Sequence, residues 1–344
     1  MRTKDDLRQL QALPLDLKIG LTKRRIADWV NYYGESGVYV SFSGGKDSTV
    51  LLHMVREMFP NVEAVFVNTG LEYPEIQQFV KSFDNVTILR PKMRFDEVIK
   101  NYGYPIISKN VSRVIHDARN GTAWAMRYVN GTALMKNGEK SYLCVEKYAP
   151  LLQSDFKCAN TCCDVMKKAP MKQYSKQTGQ KPMTAQMAAE SKRREMQWLQ
   201  KGCNAFDTKN PMSNPMSFWT EQDVLQYIKK YNIPIASVYG EVVYKEEPEQ
   251  MRLEDYGVKN CGTEPLCTTG CDRTGCIFCA FGAHLEKESR FERLKQTHPR
   301  QYAYCIGGGE YDENGVWKPN KQGLGMGHVF DELNKIYGDG FIKY

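Results

Sequence analysis

The stretch "YVSFSGGKDSTVLLHM", residues 39–54, decides the fold. Extended back to "GVYVSFS" from Gly37, its first half reads as a buried strand, and "STVLLHMVREM" after the glycines carries apolar residues at helical spacing. A glycine-rich turn between a strand's carboxyl end and a helix's amino end leaves backbone N–H groups pointing outward at the positive end of the helix dipole. Anions bind there. In "SGGKDS", Gly44 and Gly45 let the backbone approach a phosphate, Ser43 and Ser48 add hydroxyls, and Lys46 adds a point charge. Asp47 would repel phosphate unless a Mg²⁺ ion lay between them. The Walker loop differs, since it places four residues between its first glycine and its Gly-Lys pair. Lys46 and Asp47 are the candidate catalytic pair, and an exposed turn is expected for both.

Outward from this turn, "VEAVFVN" and "VTILRP" read as two more strands with the helical "PEIQQFVKSF" between them. Strands alternating with helices predict an α/β fold, a parallel sheet with helices on both faces. Residues 121–160 lack periodicity and hold Asn-Gly pairs at 130–131 and 137–138, which predicts an inserted hairpin. The pattern resumes with a strand-like "PMTAQMA" at 182–188 and the helix "TEQDVLQYIKKY", for which Thr220 is the expected N-cap with Asp223 three residues on. Residues 1–240 are therefore expected to form the main domain. From about 241 to 344 the chain reads as a small cysteine-rich domain held by something other than an apolar core.

Of the 344 residues 42% are hydrophobic, enough for a sizeable core. No apolar run reaches the roughly 18 residues of a membrane span, and the amino terminus is too charged for a signal peptide. A cytoplasmic location, with no membrane partner, is expected. The net charge of +7 is concentrated, because Lys157 to Lys201 holds ten Lys or Arg against three Asp or Glu. Such a segment suits a solvated helical face or a phosphate backbone. Few aromatics interleave, so base stacking is not indicated.

Eleven cysteines in a reducing compartment are expected to be thiols. "CGTEPLCTTGCDRTGCIFCAFG" crowds Cys261, Cys267, Cys271, Cys276 and Cys279 together, and "NTCCDVMKKAP" supplies Cys162 and Cys163 upstream. Zinc knuckles prefer about a dozen residues between pairs, whereas four separate Cys271 from Cys276. Tight successive thiolates suit an iron–sulfur cluster better, with zinc as the alternative. Cys144, Cys158, Cys203 and Cys305 read as core residues.

"SGGKDS" resembles, at all six positions, the signature of the PP-loop ATP pyrophosphatases, which have an adenine nucleotide alpha hydrolase-like fold. Within them "NTGLEYPE" at 68–75, "ESKRR" at 190–194 and "PMSFWTEQDVLQYIKKYNIPIASVY" at 215–239 resemble blocks of the phosphoadenylylsulfate (PAPS) reductase family. The resemblance covers about residues 30–240. It implies nucleotide binding by Ser43, Gly44, Gly45, Lys46, Asp47 and Ser48, by Asn68, Thr69 and Gly70, and by Arg193 and Arg194. Lys92 and Arg94 read as surface charges. "NTCCDVMKKAP" resembles the Cys-Cys segment of iron–sulfur adenylylsulfate (APS) reductases, whose cluster is completed by a later C-x2-C, matched here by Cys276 and Cys279. The ligand pool for a [4Fe-4S] cluster is then Cys163, Cys267, Cys271, Cys276 and Cys279.

Two departures from the reductases bear on activity. Their loop is altered at the SGGKDS position, whereas this chain keeps the ATP version, and their terminal nucleophile segment has no counterpart in "VFDELNKIYGDGFIKY". The expectation is an ATP- and Mg²⁺-dependent sulfurtransferase resembling the DNA phosphorothioation enzymes. It would adenylate an acceptor, nucleic acid first among the candidates, release pyrophosphate and transfer sulfur from a donor such as a cysteine desulfurase. The alternatives are a PAPS or APS reductase and a non-catalytic nucleotide- or DNA-binding regulator.

Overall fold

The computed structural model describes residues 2–245 and 265–344, so Cys261 lies outside the described residues. The chain forms two compact units, each gathered from separate stretches. Met1–Asn68, Glu72–Leu89 and Met171–Thr274 make the first; Thr69–Leu71, Arg90–Pro170 and Gly275–Tyr344 make the second. Residues 90–170, grouped by sequence with the phosphate turn, cluster instead with the carboxyl-terminal residues.

In the first unit a six-stranded sheet runs in the order Val86–Leu89, Glu63–Val67, Val38–Ser41, Lys181–Met183, Met212–Ser213, Asn204–Ala205. Every pair is parallel except the last. Tyr39 pairs with Glu63 on one side and Pro182 on the other, so Val38–Ser41 is the strand from which the order proceeds both ways. Open α/β sheets bind ligands beyond the carboxyl ends of strands at such a switch point. The SGGKDS turn follows that strand. Val38, Tyr39 and Val40 are all buried, as a strand covered on both faces requires.

Helix Lys46–Met58 buries Val50, Leu51, Leu52, Met54 and Val55, each side chain contributing about 1.5–3 kcal/mol. Helices Leu15–Tyr33 and Glu221–Tyr231 pack beside it. Thr220 caps the latter as expected. Its hydroxyl accepts from the Asp223 N–H, and the Asp223 carboxylate takes the Thr220 N–H at 2.6 Å. The same carboxylate pairs at 2.7 Å with Lys18, both side chains being almost wholly buried. Asp223→Ala would strand that ammonium, at a cost of about 3–5 kcal/mol.

The second unit corrects the expectation of a coreless tail. Phe291, Leu294, Val329, Phe330 and Leu333 are fully buried, with the Phe291 and Phe330 rings 4.8 Å apart. The helical spacing of Met326, Val329, Phe330 and Leu333 carried this signal, obscured by the glycines before it. Ile106–Ile107 pairs in parallel with Ala280–Phe281, and helix Lys109–Arg119 buries Val111, Val114 and Ile115. Within 121–160 the expected hairpin shrinks to one antiparallel bridge, Leu134 to Lys140, around Gly138 at φ +83°. Helix Ala123–Val129 and the 3-10 segment Glu146–Gln153 flank it. Likewise "PMTAQMA" contributes only Pro182 and Met183, within strand Lys181–Met183, to the sheet before the 3-10 turn Ala188–Glu190. Among the described residues no helix is long and apolar enough to cross a membrane.

Candidate functional site

The phosphate turn is built as its glycines require. Gly44 has φ +72°, and a Cβ there would stand 2.8 Å from both Ile76 Cγ2 and Val80 Cγ2, so a side chain would face strain and collision together. Gly45 ends the turn and helix Lys46–Met58 begins at the next residue. The Ser48 hydroxyl donates to Gly45 O at 2.9 Å and accepts from the Ser43 N–H at 3.1 Å. Ser43 and Ser48 hydroxyls also lie 3.0 Å apart. These bonds hold the curl of the backbone.

Lys46 is not in an exposed turn. Only 4% of the residue is accessible, because its ammonium donates to Glu221 Oε1 and to the Asp272 carbonyl, each at 2.6 Å. Tyr239 closes over it, with the ammonium 5.7 Å from the ring centroid and the Lys46 N–H donating to the phenol oxygen at 3.3 Å. The Tyr239 hydroxyl in turn lies 2.5 Å from Thr274 Oγ1. The residues that bury Lys46 come from far along the chain, which is why the turn alone looked open.

Asp47 is also drawn inward. Its Oδ1 is buried with no hydrogen-bond partner, and burial raises the carboxyl above its ordinary pKa while Lys46 and Arg273 pull it down. A buried carboxylate oxygen left without a donor fits a cation ligand. Arg194 and Arg273 both pair with Glu190, the latter at 3.5 Å. Arg193, expected to share the clamp, is exposed. Asn68 donates its side-chain N–H to Gln77 Oε1 at 3.3 Å, within the first unit. Thr69 and Gly70 cluster with the second unit. There the Thr69 hydroxyl accepts from the Leu71 N–H at 3.2 Å. Glu190, Glu221, Tyr239 and Arg273 were missed by sequence reasoning. Glu190 and Arg273 lie inside quoted motifs, and Glu221 beside the capping Thr220, but nothing in their spacing pairs them with Lys46 or Arg194.

The cysteine pool divides. Cys267 sits in strand Leu266–Thr268, opposite Val243, and the Cys271 N–H donates to Val238 O at 2.9 Å. Both belong to the first unit. In the second unit Cys162, Cys163, Cys276 and Cys279 are electrostatic neighbours. The Cys162 thiol donates to Cys163, and with the Lys109 and Lys167 ammoniums this holds the Cys163 thiol far below its ordinary value, at about 5, against the opposing effect of burial. Burial pushes Cys279 the other way. Cys276 and Cys279 share a turn, the Cys279 N–H donating to Cys276 O at 3.0 Å. Arg290 donates to Cys279 O at 2.8 Å. Cys162, absent from the expected pool, thus joins the group. Cys158 and Cys305 are core residues as expected, Cys203 is buried, and Cys144 is half-buried. Among the described residues no three His, Cys, Asp or Glu converge tightly enough to hold a single metal ion.

Among known proteins the chain is similar to an uncharacterised protein of Methanocaldococcus jannaschii, at 36% identity over 20% of this chain and 18% of that protein's length. It is 22% identical to the phosphoadenosine 5'-phosphosulfate reductase of Xanthomonas oryzae pv. oryzae over 67% of this chain and 78% of the reductase. A solved structure similar to it is the phosphoadenylyl-sulfate reductase of Candida auris in its phosphate complex, with 14% identity, TM-score 0.36, and coverage of 76% of this chain and 96% of that one. Residues 37–108 and 126–281 match the profile of the phosphoadenosine phosphosulfate reductase domain, and on that span, which contains the phosphate turn and both cysteine pairs, the chain belongs to this family of PP-loop enzymes.

Proposed function

We propose that the chain is an ATP-dependent sulfurtransferase. An acceptor oxygen attacks the α-phosphate of ATP, the bond to the β-phosphate breaks, pyrophosphate leaves, and a sulfur nucleophile then displaces AMP from the adenylated acceptor. The observation that carries this reading is the complete SGGKDS turn with Lys46 and Asp47 drawn inward at its helix end. Lys46 and the positive end of the helix that starts at the turn would bind the departing phosphates and stabilise the charge that develops on them. Asp47, through the oxygen that lacks a donor, would hold Mg²⁺, which when bound with the nucleotide neutralises phosphate charge. Arg194 and Arg273 supply further positive charge near Asp47.

The sulfur side of the reading rests on the four thiols of the second unit. Two of them form a thiol–thiolate pair flanked by lysines, a nucleophilic arrangement. As a donor set they fit iron and sulfide. The close spacing of the thiols in sequence suits a [4Fe-4S] cluster better than zinc, which remains the alternative. Held by three of these thiols, such a cluster would, when bound, supply an iron able to carry sulfide. A nucleic acid is the acceptor favoured by the basic segment from Lys157 to Lys201, and a cysteine desulfurase is the donor that thiol chemistry favours.

Reduction of a sulfonucleotide is the competing reading, favoured by family membership and by the Xanthomonas relative. The two separate in one assay. With ATP, Mg²⁺ and an acceptor, the sulfurtransferase releases pyrophosphate, and Lys46→Met, which keeps the apolar stem, lowers that release about 10²–10³-fold. Sulfite from PAPS without pyrophosphate from ATP would replace this reading with the reductase.

A further inference from the structure

We propose that Glu221 is a carboxylate stand-in for phosphate, holding Lys46 until a polyphosphate displaces it. This rests on the reading of the turn as an ATP site. The Lys46 ammonium has a side-chain exposure of 5% and is bonded at 2.6 Å to both the Glu221 carboxylate and the Asp272 carbonyl. Two of its three N–H donors are thus taken, and a polyphosphate that is to pair with its charge competes with these two acceptors. The carbonyl is fixed in backbone, whereas the Glu221 side chain is 44% exposed and lies at the first position of helix Glu221–Tyr231. It can swing into water without moving the helix.

Charge explains why a stand-in is useful. Around the turn three cations, Lys46, Arg194 and Arg273, face three carboxylates, Asp47, Glu190 and Glu221. The site is therefore balanced before any anion arrives. Glu190 is anchored by a bond from the Met187 N–H at 3.0 Å and its side chain is only 14% exposed. Asp47 is buried on the helix and suits a cation. Glu221 is the carboxylate free to leave, and its departure opens one unit of positive charge for the incoming phosphates. The same residue returns to Lys46 as pyrophosphate goes, so it speeds product release at the expense of affinity.

The test is titration calorimetry of inorganic pyrophosphate, and of ATP with Mg²⁺, against the parent, Glu221→Gln, Glu221→Asp and, as a surface ion-pair control, Glu57→Gln. If Glu221 occupies Lys46 in about nine molecules of ten, the apparent dissociation constant is raised tenfold by that occupancy. Glu221→Gln should then bind pyrophosphate about tenfold tighter, equivalent to about 1.4 kcal/mol. Glu221→Asp, one methylene short of Lys46, should shift the same way, which covers the case that the glutamine variant does not fold. Glu57→Gln should match the parent. Unchanged or weaker binding by folded Glu221 variants, with the parent binding normally, reduces Glu221 to a helix-end charge and leaves the ATP reading standing. A parent that binds neither ligand overturns both.

Discussion

The phosphate turn and the cysteine group are assembled in opposite ways. The turn is one hexapeptide whose shape is local, fixed by Gly44 against Ile76 and Val80 and by the Ser43 and Ser48 hydroxyls, while its charge is set by Glu190, Glu221 and Arg273 from remote parts of the chain. The cysteine group is two short pairs brought together by the fold, while its electrostatics start with a neighbour in sequence, the Cys162 thiol donating to Cys163. Local motifs thus announce geometry in one case and reactivity in the other. What remains hidden in each is the part supplied by distance in sequence.

The sharpest way to break this comparison is to count iron. Purified without oxygen, the parent should carry near four irons as expected of one [4Fe-4S] cluster. Serine at Cys163, Cys276 or Cys279 should remove nearly all of it. Serine at Cys267 or Cys271, which belong to the first unit, should leave it in place. If Cys271→Ser loses the iron and Cys163→Ser keeps it, the grouping described above is wrong. Stoichiometric zinc in the parent would replace the cluster outright.

Asp47 sharpens the other side. Its carboxyl has a folded-state pKa raised above the ordinary 3.8, with burial the largest cause, so folding favours its protonated form. Its contribution to stability is fully present below the unfolded pKa and is lost as pH rises through the folded one. Deprotonating the group, with one oxygen lacking a donor, therefore works against the fold of the nucleotide-free chain. Asp47→Asn should melt higher than the parent at pH 7 by about 1–3 kcal/mol of stability, the cost of an unsatisfied buried polar group. The gap should narrow toward pH 4. Pyrophosphate release should fall all the same. A variant less stable than the parent at pH 7 would show that Asp47 is structural and not a strained metal ligand.

The parts of the fold legible in sequence were those with strict periodicity or punctuation. Val38–Ser41, Glu63–Val67 and Val86–Leu89 stand where their short apolar runs put them, and Thr220 with Asp223 caps its helix. Residues 90–170 cluster with the carboxyl-terminal stretch and not with the phosphate turn, because membership in a unit depends on contacts made across the chain, which periodicity does not encode. The part of Cys162 is hidden for the same reason, since a Cys-Cys pair does not say which thiol lies near the later pair. The inward position of Lys46 was invisible because its burial comes from Glu221, Asp272 and Tyr239.

The smallest effect concerns the acceptor, and here too the two regions differ. Within the basic segment Lys167 is half-buried and its charge acts on Cys163. Lys168, Lys172 and Lys176 are exposed, but Lys168 is paired with Asp164 at 2.6 Å and is already partly neutralised. Each phosphate neutralised by a protein cation contributes about −0.9 to the slope of log K against log salt for duplex DNA and about −0.7 for single strands. Reversing Lys168, Lys172 and Lys176 to Glu should therefore flatten the slope by about two contacts and not three, and weaken binding to all sequences alike, since phosphate contacts do not read bases. Lys172→Glu with Lys176→Glu, both in the first unit, should account for most of the change. ATP cleavage without nucleic acid should persist, and so should the iron, because neither lysine acts on the thiols. Should the parent bind neither DNA nor RNA at low salt, or the triple variant bind as the parent does, the basic segment is a solvated helical face. A small molecule or protein then becomes the acceptor to seek.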